Sequence, residues 1–180
     1  MPRPRILKRA VELAKQAHSA QTRQDGITPY WHHLERTSLE LVQAGVWDEE
    51  ILASMWLHDS YEDTYLAYSD IRSMFGEKVA DWVAWVSDDQ RKSAKNQQED
   101  KDYRLLNMPY ECTLIKIADM IDNLNDMGVW NQKRQEHFAS VCEHSLSLIS
   151  ENPNKQETPE YLKLYRKLIT ILKRVKDGSV

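Results

Sequence analysis

The sequence contains no run of 18 apolar residues. Its first five residues, MPRPR, are basic and rich in proline, and no apolar segment of signal-peptide length follows them. These absences argue against a membrane span or a secretory leader, so we expect a cytoplasmic protein without membrane contact. Only two cysteines occur, Cys112 and Cys142, and they lack CxxC spacing. A disulfide framework is therefore excluded, and reduced, buried thiols are the expected state.

An excess of positive charge is also absent. The chain has 24 Lys and Arg against 28 Asp and Glu, for a net charge of −4, and its isoelectric point is near 5.9. This balance argues against non-specific nucleic-acid binding, but it leaves open a small anionic ligand held by local charges. The sequence further lacks an internal repeat, a glycine-rich phosphate loop and a convincing strand with alternating polarity.

Helical periodicity is present instead. The 180 residues, 41% of them hydrophobic, are enough for one globular domain over residues 1–180 with its core in residues 5–176. Apolar side chains recur every three or four residues, which predicts an all-α helical bundle. The polar segment 87–107 is expected to be a solvated face or a mobile loop, or a basic flap over an anionic ligand. The predicted helices cover residues 5–18, 29–45, 49–59, 69–75, 77–86, 111–127, 132–150 and 160–176.

Residues 56–64 carry four ionisable side chains, His58, Asp59, Glu62 and Asp63. If the stretch is helical, these side chains share one face. Three carboxylates crowded there would repel one another unless a partner such as a divalent cation lay among them. The alternative is a solvated acidic helix end, and the stretch alone does not decide between the two.

Two other predicted helices offer partners for this stretch. His33 lies on the apolar side of the second one, where it could also be an ordinary buried histidine, and Asp119 lies beside the apolar stripe of the helix that starts at residue 111. With His58 and Asp59 they make a set of two imidazoles and two carboxylates from three helices. Such a set suits Mn²⁺, Fe²⁺ or a comparable cation, and a water bound to the ion becomes a nucleophile near neutral pH.

Several stretches resemble one known family when they are taken in order. They are residues 21–23 leading to 29–33, the run HDSYEDT at 58–64, residues 75–76 with 86–89, and KIADMIDNL at 116–124. The chain thereby resembles the HD-domain superfamily of metal-dependent phosphohydrolases, and within it the hydrolase domain of the RelA/SpoT enzymes and the small stand-alone alarmone hydrolases. An isolated HD pair is a weak signal, whereas HDxxEDT followed by KxADxxxN is a strong one.

The resemblance implies an all-helical bundle, with its metal site between helices, that hydrolyses the 3′-pyrophosphate of guanosine tetra- or pentaphosphate in the stringent response. Mn²⁺ would be the cofactor, a small nucleotide rather than a nucleic acid would be the partner, and an oligomer is compatible with it. Carried over residue by residue, it assigns metal binding to His33, His58, Asp59 and Asp119, acid–base catalysis to Glu62 and Asp63, and substrate binding to Arg23, Asn123 and Tyr161.

Departures from the family pattern lower the positive charge expected around the substrate. They occur at Gln24, Met120, Asp122 and Asn125. Substrate identity therefore stays open: the alternatives are another nucleotide, such as an adenosine alarmone, a nucleoside monophosphate or NADPH, and a non-catalytic nucleotide-binding regulator. Basic residues of the segment 87–107 could compensate for the lost charge, namely Lys92, Lys95, Lys101 or Arg104.

Overall fold

The computed structural model describes residues 5–88 and 93–177, without the side chains of residues 94 and 95. Within these ranges the protein is helical and has no strand, only an isolated bridge between Thr22 and Pro29. The predicted all-α class is confirmed. The helices are α1 (Ile6–Ala17), α2 (Trp31–Ala44), α3 (Glu49–Leu57), α4 (Ser60–Asp63), α5 (Tyr68–Phe75), α6 (Glu77–Val86), α7 (Ala94–Asn107), α8 (Tyr110–Asn125), α9 (Gln132–Glu151) and α10 (Pro159–Lys176), with a 3₁₀ turn at Met127–Val129.

Local sequence signals explain where several of these helices begin and end. The Asp48 carboxylate accepts hydrogen bonds from the first free amides of α3, and Thr158 does the same for α10, whose first residue is a proline. Caps of this kind contribute about 1 kcal/mol each. Helix α2 ends at Gly45, which has a φ of 111°, a conformation that glycine adopts without steric cost.

From Ile51 onward helix α3 is buried on all sides, since it lies between two buried clusters. The larger cluster surrounds α8 and receives side chains from α2, α9 and α10, while the smaller one joins α1, α5 and α6. Met55 faces the larger cluster, and Leu57 faces the smaller one. Each is fully buried, so the end of α3, where His58 follows, is held from both sides.

Residues 56–64 do not form the single helix on which the shared-face prediction depended. Helix α3 stops at Leu57, and the His58 ring donates from Nδ1 to the carbonyl oxygen of Met55 at 2.8 Å. The backbone amide of His58 donates to the same carbonyl at 3.5 Å, so the ring and the amide of His58 together close the last turn of α3. Asp59 then takes a φ of −91° and a ψ of 0°, and the short helix α4 starts after it. The predicted helix 49–59 therefore ends two residues early, and the condition for one shared face over residues 56–64 is not met.

The second half of the polar segment is also more ordered than a mobile loop. Ser93 caps α7, and Leu105 buries its side chain near the end of that helix. Arg104 and Lys101 form ion pairs with Asp88 across the start of the segment, at 2.7 and 3.5 Å. Periodicity missed this helix because its exposed turns are almost wholly polar. Lys92 and the side chain of Lys95 lie outside the described residues.

Two further predictions concern the cysteines and the membrane. Cys112 and Cys142 are both free and buried, as predicted, and burial raises the pKa of Cys142 to about 12, which keeps it a thiol. No helix in the described part of the chain combines the length and apolarity needed to cross a membrane.

Candidate metal centre

The four residues predicted as metal ligands lie together where α2, the end of α3 and α8 meet. His33, His58 and Asp119 each offer one ligand atom, and these atoms all lie within 4.8 Å of one another. The Nε2 atoms of the two histidines are 3.4 Å apart, and Asp119 Oδ1 lies 3.4 and 3.6 Å from them. Asp59 Oδ2 lies 3.1 Å from His58 Nε2 and 3.6 Å from His33 Nε2.

These separations fit a first-row divalent cation. Adjacent ligands of an ion bonded at about 2.1 Å lie about 3 Å from one another. The observed spacings are slightly wider, so small side-chain movements would close the set around an ion. Imidazole and carboxylate are ligands that Mn²⁺, Fe²⁺ and similar ions accept.

The orientation of both rings suits metal binding. A carbonyl oxygen and a carboxylate oxygen can only accept, so the Nδ1 atoms of His58 and His33 carry the hydrogen in their bonds to Met55 and Asp122. In the neutral form of each ring, the lone pair is then on Nε2, the atom that points into the cluster. Hydrogen bonds of this kind to the second nitrogen are a regular feature of metal-binding histidines.

Asp122 and Arg36 form a support for His33 that the sequence reading missed. The Asp122 carboxylate accepts from His33 Nδ1 at 2.7 Å and from two nitrogens of Arg36 at 2.6 and 3.0 Å. The fork of the guanidinium matches both carboxylate oxygens. A signal was available, since Arg36 follows His33 by three residues and Asp122 follows Asp119 by three, each on the same helix face.

Asp119 is held by neighbours on its own helix. Lys116 Nζ donates to its Oδ2 at 3.0 Å, and Asn123 Nδ2 donates to its Oδ1 at 2.5 Å. Burial alone would raise the pKa of Asp119, but the charge of Lys116 and hydrogen bonds with both histidines hold that pKa well below its ordinary value. The carboxylate therefore stays ionised, as a ligand must.

Asp59 is held from the other side by Tyr30. The phenol donates to Asp59 Oδ2 at 2.7 Å and lies 3.3 Å from Asp63 Oδ2. Burial and the nearby carboxylates raise the pKa of Tyr30, so it remains a donor. Tyr30 thus connects a predicted ligand, Asp59, to a predicted catalytic residue, Asp63.

A cavity of about 270 Å³ opens beside this cluster. Glu62 and Asp63 lie in its wall, and burial raises the pKa of each above its ordinary value. Glu62 Oε1 accepts the Asp88 amide hydrogen at 2.7 Å. The lining comprises acidic residues and cluster members (Tyr30, His33, Asp59, Glu62, Asp63, Asp88, Asp119), two lysines (Lys101, Lys116), polar residues (Asn123, Ser145) and an apolar side on α8 and α9 (Met120, Phe138, Val141, Cys142).

The three residues predicted to bind substrate have different environments. Asn123 lines the cavity. Arg23 does not line it; its side chain is 10% exposed, is hydrogen-bonded to Asn123 and Asp126, and lines a separate cavity of about 200 Å³. Tyr161 is 2% exposed and packs in the larger apolar cluster, away from the cavity lining. Its predicted contact with a ligand gains no support, because a residue on the inner face of α10 faces the core.

A family model described as an HD domain matches residues 10–145. A guanosine-3′,5′-bis(diphosphate) 3′-pyrophosphohydrolase of Aquifex aeolicus is 32% identical over 136 residues, which are 74% of this chain but only 19% of that relative. The MESH1 enzyme of the same name from Drosophila melanogaster is 34% identical over 138 residues, covering 71% of this chain and 75% of the relative.

A solved structure shares the fold over its whole length. It is that of a metazoan ortholog of SpoT that hydrolyses ppGpp; it has a TM-score of 0.81 and 26% sequence identity, and the alignment covers 100% of this chain and 99% of that one. The matched family model spans the three helices that carry the cluster. The chain therefore belongs to the HD-domain family, as the motifs at 58–64 and 116–124 predicted.

Proposed function

We propose that the chain is a divalent-metal-dependent phosphohydrolase that releases pyrophosphate from the 3′ position of guanosine tetra- or pentaphosphate, with Mn²⁺ as its ion. The observation that carries the proposal is a four-residue imidazole and carboxylate cluster beside two carboxylates with raised pKa values, all at one cavity. The names of the Aquifex and Drosophila relatives and the activity of the metazoan SpoT ortholog supply the substrate class.

The ion would be held by His33, His58, Asp59 and Asp119. When bound, it would lower the pKa of a water and polarise a phosphoryl oxygen. Two carboxylates and two neutral imidazoles leave coordination positions for water and substrate on a six-coordinate ion, which is the reason to favour Mn²⁺ over a closed structural zinc site.

Glu62 and Asp63 are the proposed acid–base pair. In the reaction a water oxygen bonds to phosphorus, the bond between phosphorus and the ribose 3′ oxygen breaks, and pyrophosphate and GDP or GTP are formed. One carboxylate accepts the proton of the attacking water, and the ribose oxygen needs a proton as it leaves. A carboxylate whose pKa is raised by burial serves both needs better than an exposed one, because its affinity for the proton is closer to that of its partners.

Substrate binding is proposed at the cavity wall. Asn123 presents its amide next to Asp119 and would meet the ribose, while Lys101 and Lys116 supply positive charge for phosphate groups. The apolar side formed by Met120 and Phe138 offers a surface for the flat part of a nucleotide.

A nucleotide with fewer phosphate groups is a second candidate substrate. Lys116 pairs with Asp119 and Lys101 with Asp88, so both described lysines of the cavity wall are already near carboxylates. A substrate with four or five phosphate groups would have to draw these lysines away or bring further cations with it.

One experiment tests the main proposal. The purified protein is incubated with Mn²⁺ and a panel of nucleotides that includes ppGpp, pppGpp, NADPH and GMP, and released pyrophosphate and phosphate are measured. We expect pyrophosphate from ppGpp, and its loss in Glu62→Gln/Asp63→Asn with Mn²⁺ binding retained. The exposed Lys133→Gln is the matched control. Turnover that survives the double substitution would show that Glu62 and Asp63 are not the acid–base pair. Faster turnover of another nucleotide would show that the substrate is not ppGpp.

A further inference from the structure

Asp126, the residue that caps the C-terminus of α8, joins two arginines. Its Oδ2 accepts a hydrogen bond from Arg23 Nε at 2.7 Å and lies 3.3 Å from Arg36 Nη2. One carboxylate oxygen is therefore shared by two guanidinium groups from different parts of the chain. Each arginine is connected to one predicted metal ligand through a single intervening side chain.

The first arm leads from Arg23 to Asp119. Arg23 Nη2 donates to Asn123 Oδ1 at 3.0 Å, and the other end of that amide, Nδ2, donates to Asp119 Oδ1 at 2.5 Å. The arginine can only donate and the carboxylate can only accept, so the two together fix the orientation of the amide between them. Without Arg23 the Asn123 side chain would lose one of the two contacts that orient it.

The second arm leads from Arg36 to His33. Arg36 grips Asp122 with two nitrogens, and Asp122 accepts from His33 Nδ1. Asp122 is 4% exposed, so its charge depends on Arg36 and His33 for compensation. If Arg36 moved, Asp122 would move with it, and the buried hydrogen bond from His33 to Asp122 would change as well.

We propose that Asp126 is a positioning residue. It holds the side chains of His33 and Asp119 in place through Arg36 and Arg23. Arg23 then supports these metal ligands rather than binding a substrate phosphate. The inference rests on the proposed metal site. It departs from the role that the family resemblance assigns to Arg23. Asn123 and Tyr30, both in contact with Arg23, line the cavity, but Arg23 itself does not.

Burial and charge support this assignment. The Arg23 side chain is 10% exposed, and its nearest acid is Asp126. Asp126 accepts from its Nε and Asn123 from its Nη2, so two of its donors are already used inside the protein. A phosphate that drew the guanidinium away from these partners would free the amide next to Asp119 and disturb the metal site, which is the opposite of what phosphoryl transfer needs.

The test measures metal affinity separately from turnover. Metal-free wild type, Asp126→Asn, Arg23→Gln and the double variant are titrated with Mn²⁺ by calorimetry, with the exposed Arg166→Gln as matched control. Loss of a residue that supports metal ligands weakens binding by about 10-fold to 100-fold. We expect about tenfold weaker Mn²⁺ binding in each single variant, no further loss in the double variant, and no change in the control. At saturating Mn²⁺, kcat should fall while KM for ppGpp stays within about twofold.

Several results would overturn the proposal. Unchanged Mn²⁺ affinity in Asp126→Asn would do so, as would a large rise in KM for Arg23→Gln with metal affinity intact, which would make Arg23 a phosphate anchor. If Asp126→Asn fails to fold, Arg36→Lys replaces it, since lysine keeps the charge and loses the fork that holds Asp122; unchanged Mn²⁺ affinity there has the same meaning. If the wild type binds Mn²⁺ but does not cleave ppGpp, the proposed substrate is wrong while the positioning role of Asp126 still stands. Failure of the proposed function and failure of this inference are therefore distinguishable.

Discussion

His33 and Asp122 are joined by a buried hydrogen bond of 2.7 Å between Nδ1 and Oδ2. The bond directs the other ring nitrogen of His33 toward His58 and Asp119. It also explains the acidic residue at position 122, which looked unfavourable for phosphate binding in the sequence. Asp122 faces the histidine and Arg36 rather than a substrate.

Replacement of Asp122 by asparagine should weaken the metal site. The amide side chain would keep the shape of the carboxylate, but it would remove the charge that holds the His33 Nδ1 hydrogen and would leave Arg36 without its acid. We expect Mn²⁺ affinity to fall by about 10-fold to 100-fold in calorimetric titrations. Asp102→Asn, which removes a half-buried acid paired with His144 away from the metal cluster, is the control and should bind like wild type. Equal affinity in the two variants would contradict the role of Asp122.

The pH dependence of metal binding follows from the pKa of His33. Burial alone would lower this pKa, but hydrogen bonds to Asp119 and Asp122 raise it from 6.5 to about 9 in the metal-free protein. Mn²⁺ must therefore displace a proton anywhere below about pH 9, and its affinity should rise as the pH rises toward that value. Calorimetry at pH 7.5 in buffers of different ionisation enthalpy should show proton release. No release would mean that the ring is already neutral.

The same raised pKa predicts how the stability of the metal-free protein depends on pH. Because the folded-state pKa of His33 lies above its unfolded value, the extra stability is fully present below about pH 6.5 and is lost as the pH rises through about 9. We expect the Tm of the metal-free protein to fall across this window, and the Tm with saturating Mn²⁺ to fall less, since the ion takes the place of the proton. A metal-free Tm that is flat or rising from pH 6.5 to 9 would contradict this prediction.

Tyr30→Phe should impair the site without loosening the fold. The substitution keeps the ring that stacks on His18 but removes the hydroxyl that donates to Asp59 and reaches Asp63. A hydrogen bond to a charged group contributes about 1.5–3 kcal/mol, so we expect roughly tenfold lower kcat/KM or Mn²⁺ affinity, in the assays described above. Tyr61→Phe, which loses only a weak bond to the Ala80 carbonyl, is the matched control. Similar losses in both variants would show a packing effect instead.

Packing behind the site can be tested at Leu57. Its side chain is fully buried in the smaller cluster, so Leu57→Ala should lower the free energy of unfolding by about 2–5 kcal/mol. Leu39→Ala removes a leucine that is 50% exposed and should cost far less. Urea denaturation followed by circular dichroism measures both. A small loss at Leu57 would mean that the end of α3 is held mainly by its hydrogen bonds.

Much of the fold follows from local patterns that can be read in the chain. Helix α6 has the predicted bounds, and α2 ends at Gly45 because only a residue tolerant of positive φ continues the chain there. Helix α7 was missed because its polar sequence lacks periodicity, and two of its side chains pair with Asp88, a residue outside the helix. The pairing of Asp88 with α7 is a tertiary contact, and no local sequence pattern predicts it.

The sequence by itself determined the helical class and the set of four ligand candidates, because apolar spacing and the motifs HDxxEDT and KxADxxxN are local properties of the chain. Only the tertiary structure decided which side chains support that set. Helix α3 ends at Leu57, two residues before its predicted end, and the contacts of Asp122 and Arg23 join residues 86 to 103 positions apart. Such pairings depend on how α2 and α8 pack. Spacing along one helix shows which of its residues share a face, but it does not show which residue of another helix they contact.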